Sequence, residues 1–303
     1  METFLKMLET QSILFVYMAV GYYCRKVNIF SDEMRARLTD FTVMITLPCM
    51  VFKSFLMEFS MDALIQGGVA LLIASVMAVV ALIAGNLLYN RFVPREKCIM
   101  QYGTLVTNSG FAGLPIVDGA FGDEGLFLGS LFIIPTRILM WSAGISLFTT
   151  GGTRWERTKK VLTNPSIIAV GLGLVWMVFQ LPLPGFLRSA VGNLGNCTSP
   201  LAMALVGAIL ADVPLRGIWE PKALYLAAVR QIVLPVILLV ALKGLALDPL
   251  TVGVSVTLSG MPIGSTTAIL AQKYGADAEF GSKCVFISTV TSLITVPVLT
   301  LFL

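Results

Sequence analysis

Two hydrophobic segments of this chain are interrupted near their middle by glycine and proline. The first covers residues 108–122 (NSGFAGLPIVDGAFG), and the second covers residues 259–275 (SGMPIGSTTAILAQKYG). A break in a membrane helix frees backbone N–H and C=O groups that lipid cannot hydrogen-bond, so it persists only inside protein or beside a water-filled cavity. Because the two breaks occupy corresponding positions in the two halves of the chain, they predict a binding site near the middle of a membrane.

The composition is that of a polytopic, all-α membrane protein. The 303 residues are 56% hydrophobic and only 13% charged, whereas a soluble domain has about 25% charged residues. At about 20 residues per span, this length accommodates about ten transmembrane helices. The apolar runs place them at residues 3–24, 34–57, 63–90, 98–118, 125–149, 165–181, 186–211, 221–243, 248–272 and 279–303.

The basic residues predict the orientation of these spans. Fifteen Lys and Arg residues fall in the loops after odd-numbered spans, and four lie on the opposite side. Loops rich in Lys and Arg stay in the cytoplasm, so both termini are expected outside it, with the protein in the cell (inner) membrane. The N-terminal segment has no small-residue cleavage site, so it is expected to remain as the first helix.

Two pairs of landmarks recur at nearly the same distance. Pro48 and Pro200 are 152 residues apart, and Gly122 and Gly275 are 153 residues apart. With five spans in each half, the second half would be inverted relative to the first, which is the organisation of many alternating-access proteins. The predicted parts are a first five-helix repeat over residues 1–150, a cytoplasmic connecting loop over 151–164 and a second, inverted repeat over 165–303.

This offset aligns Pro115 with Thr267, and so predicts that the breaks cross with Gly113 to Pro115 facing Ser265 to Thr267. The first N–H groups of a restarting helix attract an anion without any charged side chain. Polar side chains would add donors and acceptors, although any single hydroxyl could serve only to join helices. The polar side chains at the two predicted breaks are those of Asn108, Ser109, Ser265, Thr266 and Thr267.

Arg137, Arg230 and Asp118 are charged residues placed within the predicted spans, where such residues are costly and often functional. Arg230 could neutralise an anionic substrate or brace a neighbouring helix end, and the sequence leaves both roles open. For Arg137 a structural role is favoured. Asp118 could accept a coupling proton or simply form the polar end of its span. Sodium coupling through helix-end carbonyls is equally open.

Several function classes lack their usual residues. The chain has no histidine and five scattered cysteines, which predicts neither a metal site nor a disulfide framework. It also has no phosphate-binding loop or nucleophile elbow. We therefore expect no enzyme, no ATP-driven pump, no cofactor and no nucleic-acid partner.

Five segments together resemble the auxin efflux carrier family, over nearly the whole chain. They are TLPCMVF, NSGFAGLPIVDGAFG, TNPSIIAVGLGL, VRQIVLP and MPIGSTTAILAQKYG. The resemblance implies ten helices in two inverted repeats, as in the related bile acid sodium symporter fold, with broken helices 4 and 9 crossing. It further implies a scaffold of helices 1, 2, 6 and 7, often forming a homodimer, and a transport domain of helices 3–5 and 8–10.

The chain lacks the long cytoplasmic loop of plant members and resembles the compact prokaryotic branch, for which small carboxylates such as malonate or malate are the implied substrates. Asn108, Pro115 and Pro262 match family motif positions. Thr266 departs from the pattern, because many relatives place asparagine there.

These observations predict a secondary transporter that is embedded in membrane lipid and exports a small organic anion by alternating access. A membrane sensor that binds a carboxylate without moving it is the main alternative, but the chain has no soluble output domain. A channel would need a continuous polar pore, and a membrane enzyme would need clustered acid, base or metal-binding residues. Neither pattern is present in the sequence.

Overall fold

The computed structural model describes residues 2–57, 60–148, 155, 162–212 and 219–303, and no β-strand occurs in this part of the chain. Its α-helices in chain order are α1 (Glu2–Lys26), α2 (Asp32–Phe41), α3 (Leu47–Ser54), α4 (Met61–Leu88), α5 (Pro94–Leu105), α6 (Leu114–Leu139), α7 (Pro165–Phe179), α8 (Gly185–Asn196), α9 (Thr198–Ala211), α10 (Pro221–Ala228), α11 (Leu234–Lys243), α12 (Pro249–Ser259), α13 (Thr266–Lys273) and α14 (Ala278–Thr300).

Helices occur where the sequence predicts membrane spans. Within the described residues, five helical stretches are long and apolar enough to cross a membrane: Met61–Leu88, Ser109–Gly144, Gly185–Ala211, Pro221–Lys243 and Ala278–Thr300. Shorter apolar helices cover Pro165–Phe179 and Pro249–Ser259. The fold is therefore that of an all-helical, multi-pass membrane protein.

Some helices contain a wide π-helical turn, a feature frequent at functional sites. The π turns in the described chain cover Thr42–Thr46, Ser109–Gly113, Met140–Gly144 and Val229–Val233. The second of these turns begins the helical stretch that continues as α6, and the last joins α10 to α11.

Helices α1 and α9 cross with their backbones in contact, because glycine occupies the crossing point on both. A methyl group at Gly21 would lie 1.9 Å from the Ala204 carbonyl oxygen, and one at Gly207 would lie 1.9 Å from the Met18 carbonyl oxygen. Small residues allow membrane helices to approach this closely and gain van der Waals contact. Any larger side chain at either glycine would force the two helices apart.

Ion pairs join the helix ends that carry the basic loops. Asp212, just after α9, accepts hydrogen bonds from Arg25 and Arg35. Partial burial acts to raise the pKa of the Asp212 carboxyl, but the hydrogen bonds and charges of the two arginines outweigh it and hold that pKa below its ordinary value. Separately, Lys222 at the start of α10 contacts both carboxylate oxygens of Glu96 in α5 at 2.8 Å.

Candidate functional site

Both interrupted segments are broken helices in the structure. Helix α5 ends at Leu105, and the chain becomes helical again at Ser109. Helix α12 ends at Ser259, and α13 begins at Thr266. Each break therefore leaves a short non-helical stretch between a carbonyl end and an amide end, both of which carry partial charge.

The two non-helical stretches meet and hydrogen-bond to each other through their backbones. Thr107 and Ile263 form an isolated antiparallel bridge. The Asn108 N–H donates to the Pro262 carbonyl at 2.8 Å, and the Gly264 N–H donates to the Val106 carbonyl at 3.0 Å. Each break thus satisfies backbone groups that the other break has freed, as membrane-embedded backbone requires. We call residues 106–108 and 262–264 the crossing.

The residues that meet at the crossing differ from those predicted. The prediction that Gly113 to Pro115 faces Ser265 to Thr267 placed the first break too late in the chain, because it assumed that Pro115 interrupts the helix. Pro115 instead lies inside the helical stretch that begins at Ser109, just after the π turn Ser109–Gly113, and the helix continues through it as α6. The break precedes Ser109, and a constant offset therefore misaligns the two segments.

The predicted polar residues lie at or directly beside the crossing. Asn108 and Ser109 are 5% and 4% exposed, and the hydroxyls of Ser109 and Thr107 hydrogen-bond to each other. The Thr266 hydroxyl lies 3.1 Å from the Tyr102 hydroxyl of α5. Thr267 is completely buried, and its hydroxyl has no hydrogen-bond partner within the described chain.

The other predicted positions shape the backbone around the crossing. Pro262 contributes its carbonyl, and Ser265 is the residue that precedes α13. Gly113 is packed so tightly that a methyl group there would lie 2.7 Å from a methyl carbon of Leu258. Pro115 is buried in α6.

Arg137, for which the sequence favoured a structural role, lies directly at the first break. A methyl group at Gly110 would lie only 2.0 Å from the Arg137 Nη2 atom. Arg137 is half-buried, and none of the salt bridges among the described residues includes it. The guanidinium and the amide end of the helix beginning at Ser109 are both positive, so this place attracts an anion.

Arg230 lies at the carbonyl end of a helix, whereas Arg137 lies at an amide end. Arg230 is 6% exposed, and its Nη1 atom donates to the Ser259 carbonyl oxygen at 2.5 Å. Ser259 is the last residue of α12, so the guanidinium faces a carbonyl end that carries partial negative charge. The sequence left two roles open for Arg230, neutralising a substrate or bracing a helix end. This contact is the one expected for the second role.

Sequence reasoning missed a buried polar group beside Arg230. The Gln231 side chain is 1% exposed; it donates to the Ser288 carbonyl oxygen at 2.7 Å and accepts from the Thr291 hydroxyl at 2.6 Å. The Ser288 hydroxyl in turn accepts from the Ile263 N–H at 3.2 Å. A polar glutamine next to an arginine within an apolar span was the signal that could have found this group.

Asp118 lies away from the crossing, near the end of the first part of α6. It is half-buried, and Lys53 and Asp123 are its main charged neighbours. Lys53 and Asp123 themselves form an ion pair at 3.2 Å. The structure therefore does not bring Asp118 together with the polar residues of the crossing.

The space at the crossing is small. A cavity of about 20 Å³ there has room for about one water molecule. It is lined by Leu14, Phe15, Met18, Ala112, Ile116, Met203, Val206, Pro262, Thr289, Ser292 and Leu293. A larger cavity of about 270 Å³ lies between the end of α3 and the α7–α8 connection, and none of the crossing residues lines it. We place the candidate site at the crossing, where the charges and freed backbone groups are.

Comparison with known proteins gives a family match over nearly the whole chain. The model of a family described as membrane transport protein matches residues 7–161 and residues 155–300.

Relatives of similar length carry transporter names. An uncharacterised transporter of Methanothermobacter thermautotrophicus is 25% identical over 95% of this chain and 96% of its own length. A protein of Rhizobium meliloti, described as a candidate malonate transporter, is 24% identical over 91% of this chain and 89% of its own. An uncharacterised transporter of Methanocaldococcus jannaschii is 25% identical, with 94% of each chain covered.

Proposed function

Because the chain belongs to the membrane transport protein family, the auxin efflux carriers, we propose that it is a secondary transporter of a small organic anion, with a carboxylate-binding site at the crossing. Alternating access would expose this site first to one side of the membrane and then to the other. The proposal includes the export direction and the ten-span inverted repeat expected from the sequence.

The observation that carries the proposal is the position of Arg137. Its guanidinium packs against Gly110 at the amide end of a broken helix and has no carboxylate partner within the described chain. An uncompensated charge at membrane depth is costly, so residues of this kind usually bind a substrate, an ion or a proton. An arginine fork matches the two oxygens of a carboxylate, which would supply the missing negative charge.

Two glycines support the inverted repeat. Gly122 and Gly275, 153 residues apart, both have a φ of +70°. Gly122 separates the helix after the first break from the following helical stretch, and Gly275 lies between α13 and α14. The order of break, half-helix, left-handed glycine and long helix is therefore the same in both halves, as two copies of one unit would require.

The small size of the cavity at the crossing supports a site that opens by movement of the surrounding helices. A cavity of about 20 Å³ is far below the roughly 300 Å³ at which pockets for small organic ligands begin. A carboxylate such as malonate can enter only if the helices around the crossing separate. The cavity is lined by residues of α1 and α9, of both broken segments and of α14, so movement of α1 and α9 relative to the other elements would open it.

Counterflow in proteoliposomes tests the proposal. Purified protein would be reconstituted with unlabelled malonate, malate or indole acetate inside, and uptake of the labelled compound would be followed. We expect malonate or another member of this carboxylate panel to exchange. Binding without exchange across the whole panel would instead favour the sensor, and currents without saturation would favour the channel.

A further inference from the structure

The π turn Val229–Val233 in the middle of the span Pro221–Lys243 carries two adjacent buried polar side chains, Arg230 and Gln231. Arg230 contacts the helix end before the second break, and Gln231 contacts α14, which packs against the break. A π turn adds a residue to the helical turn and often occurs at functional positions. The membrane span here is otherwise apolar, so two consecutive buried polar residues require a specific reason.

The first of these side chains holds the helix before the break. The Arg230 Nη1 atom donates to the carbonyl oxygen of Ser259, the last residue of α12. The final carbonyls of a helix have no intrahelical donor and carry partial negative charge. Within the described chain no carboxylate pairs with Arg230, so the carbonyl end of α12 is the negative group that its charge faces.

The second side chain contacts the break indirectly, through α14. Gln231 donates to the Ser288 carbonyl oxygen, and the Ser288 hydroxyl accepts from the Ile263 N–H. Ile263 is the residue that bridges to Thr107 in the crossing. Gln231 therefore acts on the crossing through α14, while Arg230 acts on it through the end of α12.

We propose that Arg230 and Gln231 are positioning residues that set the geometry of the crossing, with the Arg230 guanidinium acting as a tethered cation for the carbonyl end of α12. Arg230 therefore does not bind the substrate carboxylate. The proposal rests on the proposed function for its effect on substrate binding. Its effect on the stability of the second break does not depend on any substrate.

Chemical rescue of Arg230→Ala tests this role. We expect the variant to bind malonate about tenfold more weakly or worse, which corresponds to a loss of at least about 1.4 kcal/mol. Millimolar guanidinium chloride should restore most of the lost affinity, because the free cation can occupy the vacated place at the Ser259 carbonyl. Choline chloride at the same concentration, which cannot donate hydrogen bonds from its ammonium, should restore none.

Thermal unfolding gives a readout that needs no substrate. Millimolar guanidinium chloride should raise the unfolding midpoint of Arg230→Ala and leave that of the wild type unchanged. If the wild type exchanges no carboxylate but this selective stabilisation is seen, the proposed function fails while the positioning role stands. Folded Arg230→Ala that binds malonate like the wild type, or that gains neither affinity nor stability from guanidinium, would overturn the positioning role.

Gln231→Leu keeps the proposal testable if Arg230→Ala does not fold. Leucine has a similar volume but removes the contacts with Ser288 and Thr291, so we expect weaker malonate binding with Arg230 and Arg137 both present. Gln272→Leu, at an exposed glutamine of α13, is the matched control and should bind like the wild type. Equal affinities in the two variants would contradict a positioning role for Gln231.

Discussion

The guanidinium of Arg137 occupies the space that a side chain at Gly110 would fill. An ideal methyl group at Gly110 would lie 2.0 Å from Nη2 of Arg137, so the arginine reaches the broken helix only because residue 110 has no side chain. This contact joins the helical stretch after Gly122 to the first break and places a positive charge beside an amide end that is itself positive.

We therefore expect Gly110→Ala to weaken carboxylate binding although it removes no polar group. The methyl group must displace the Arg137 side chain, and a loss of about 1.4 kcal/mol would weaken malonate binding about tenfold. Isothermal titration calorimetry with malonate measures this change in affinity. Gly68→Ala, at a helix glycine with nothing within 4 Å of the added carbon, is the control, and equal affinities in both variants would argue against contact between Arg137 and the ligand.

The two left-handed glycines should be sensitive to substitution to a similar degree. Gly122 and Gly275 both have a φ of +70°, and a side chain there costs about 1–3 kcal/mol. Alanine at either position should lower the thermal unfolding midpoint, whereas Gly171→Ala, which has open space around the added carbon, should not. A midpoint unchanged at one of the two positions would contradict equivalent structural roles.

The hydroxyl contact between Tyr102 and Thr266 links the first half of one broken helix to the second half of the other. Since a hydrogen bond of this kind contributes about 0.5–1.5 kcal/mol, a double-mutant cycle of Tyr102→Phe and Thr266→Val should show coupling of that size in unfolding free energy. Additive effects would mean that the hydroxyls do not interact.

Thr266→Asn tests selectivity at the same position. The longer amide would reach further into the crossing and should change the ratio of malonate to indole acetate exchange more than the amount of folded protein. An unchanged ratio would show that Thr266 does not contact the ligand.

Asp212 gives a prediction about pH. Arg25 and Arg35 hold the pKa of its carboxyl below the ordinary value. The ionised carboxylate therefore stabilises the fold fully above the ordinary Asp pKa of about 3.9, and this stabilisation is lost as the pH falls through the lower, folded-state pKa. Because the side chain is 37% exposed, the contribution is only about 0.5–1 kcal/mol.

Near neutral pH, Asp212→Asn should therefore be less stable than the wild type in thermal unfolding, and the difference should disappear in strong acid. Asp40→Asn, at an exposed aspartate, should show no difference at either pH. A stability difference for Asp212→Asn that persists in strong acid would show that the ionised carboxylate is not its source.

Much of the fold could be predicted because lipid imposes simple requirements on a sequence. Apolar runs gave the helix positions within a few residues, and the Gly/Pro interruptions indicated which two segments are broken, although the first break lies earlier in the chain than predicted. The register of the crossing could not be predicted, since a proline that interrupts a helix and one through which a helix continues look alike in sequence. Pro115 is of the second kind.

The separate roles of the two arginines also needed the structure. In sequence, Arg137 and Arg230 are each the one cation in the interior of an apolar span. What distinguishes them is the helix end that each guanidinium meets, an amide end beside Gly110 or the carbonyl end at Ser259. Such contacts join residues far apart in the chain and depend on packing between helices.

The most direct test of a carboxylate site at the crossing is malonate counterflow in proteoliposomes by the wild type, Arg137→Gln and Arg91→Gln. Arg91 is an exposed arginine, so its variant removes the same charge away from the crossing. We predict saturable exchange by the wild type and Arg91→Gln, and exchange reduced at least about tenfold in folded Arg137→Gln, as expected when a charge-assisted hydrogen bond of about 1.5–3 kcal/mol is lost. Equal exchange by all three proteins would contradict the assignment of the site.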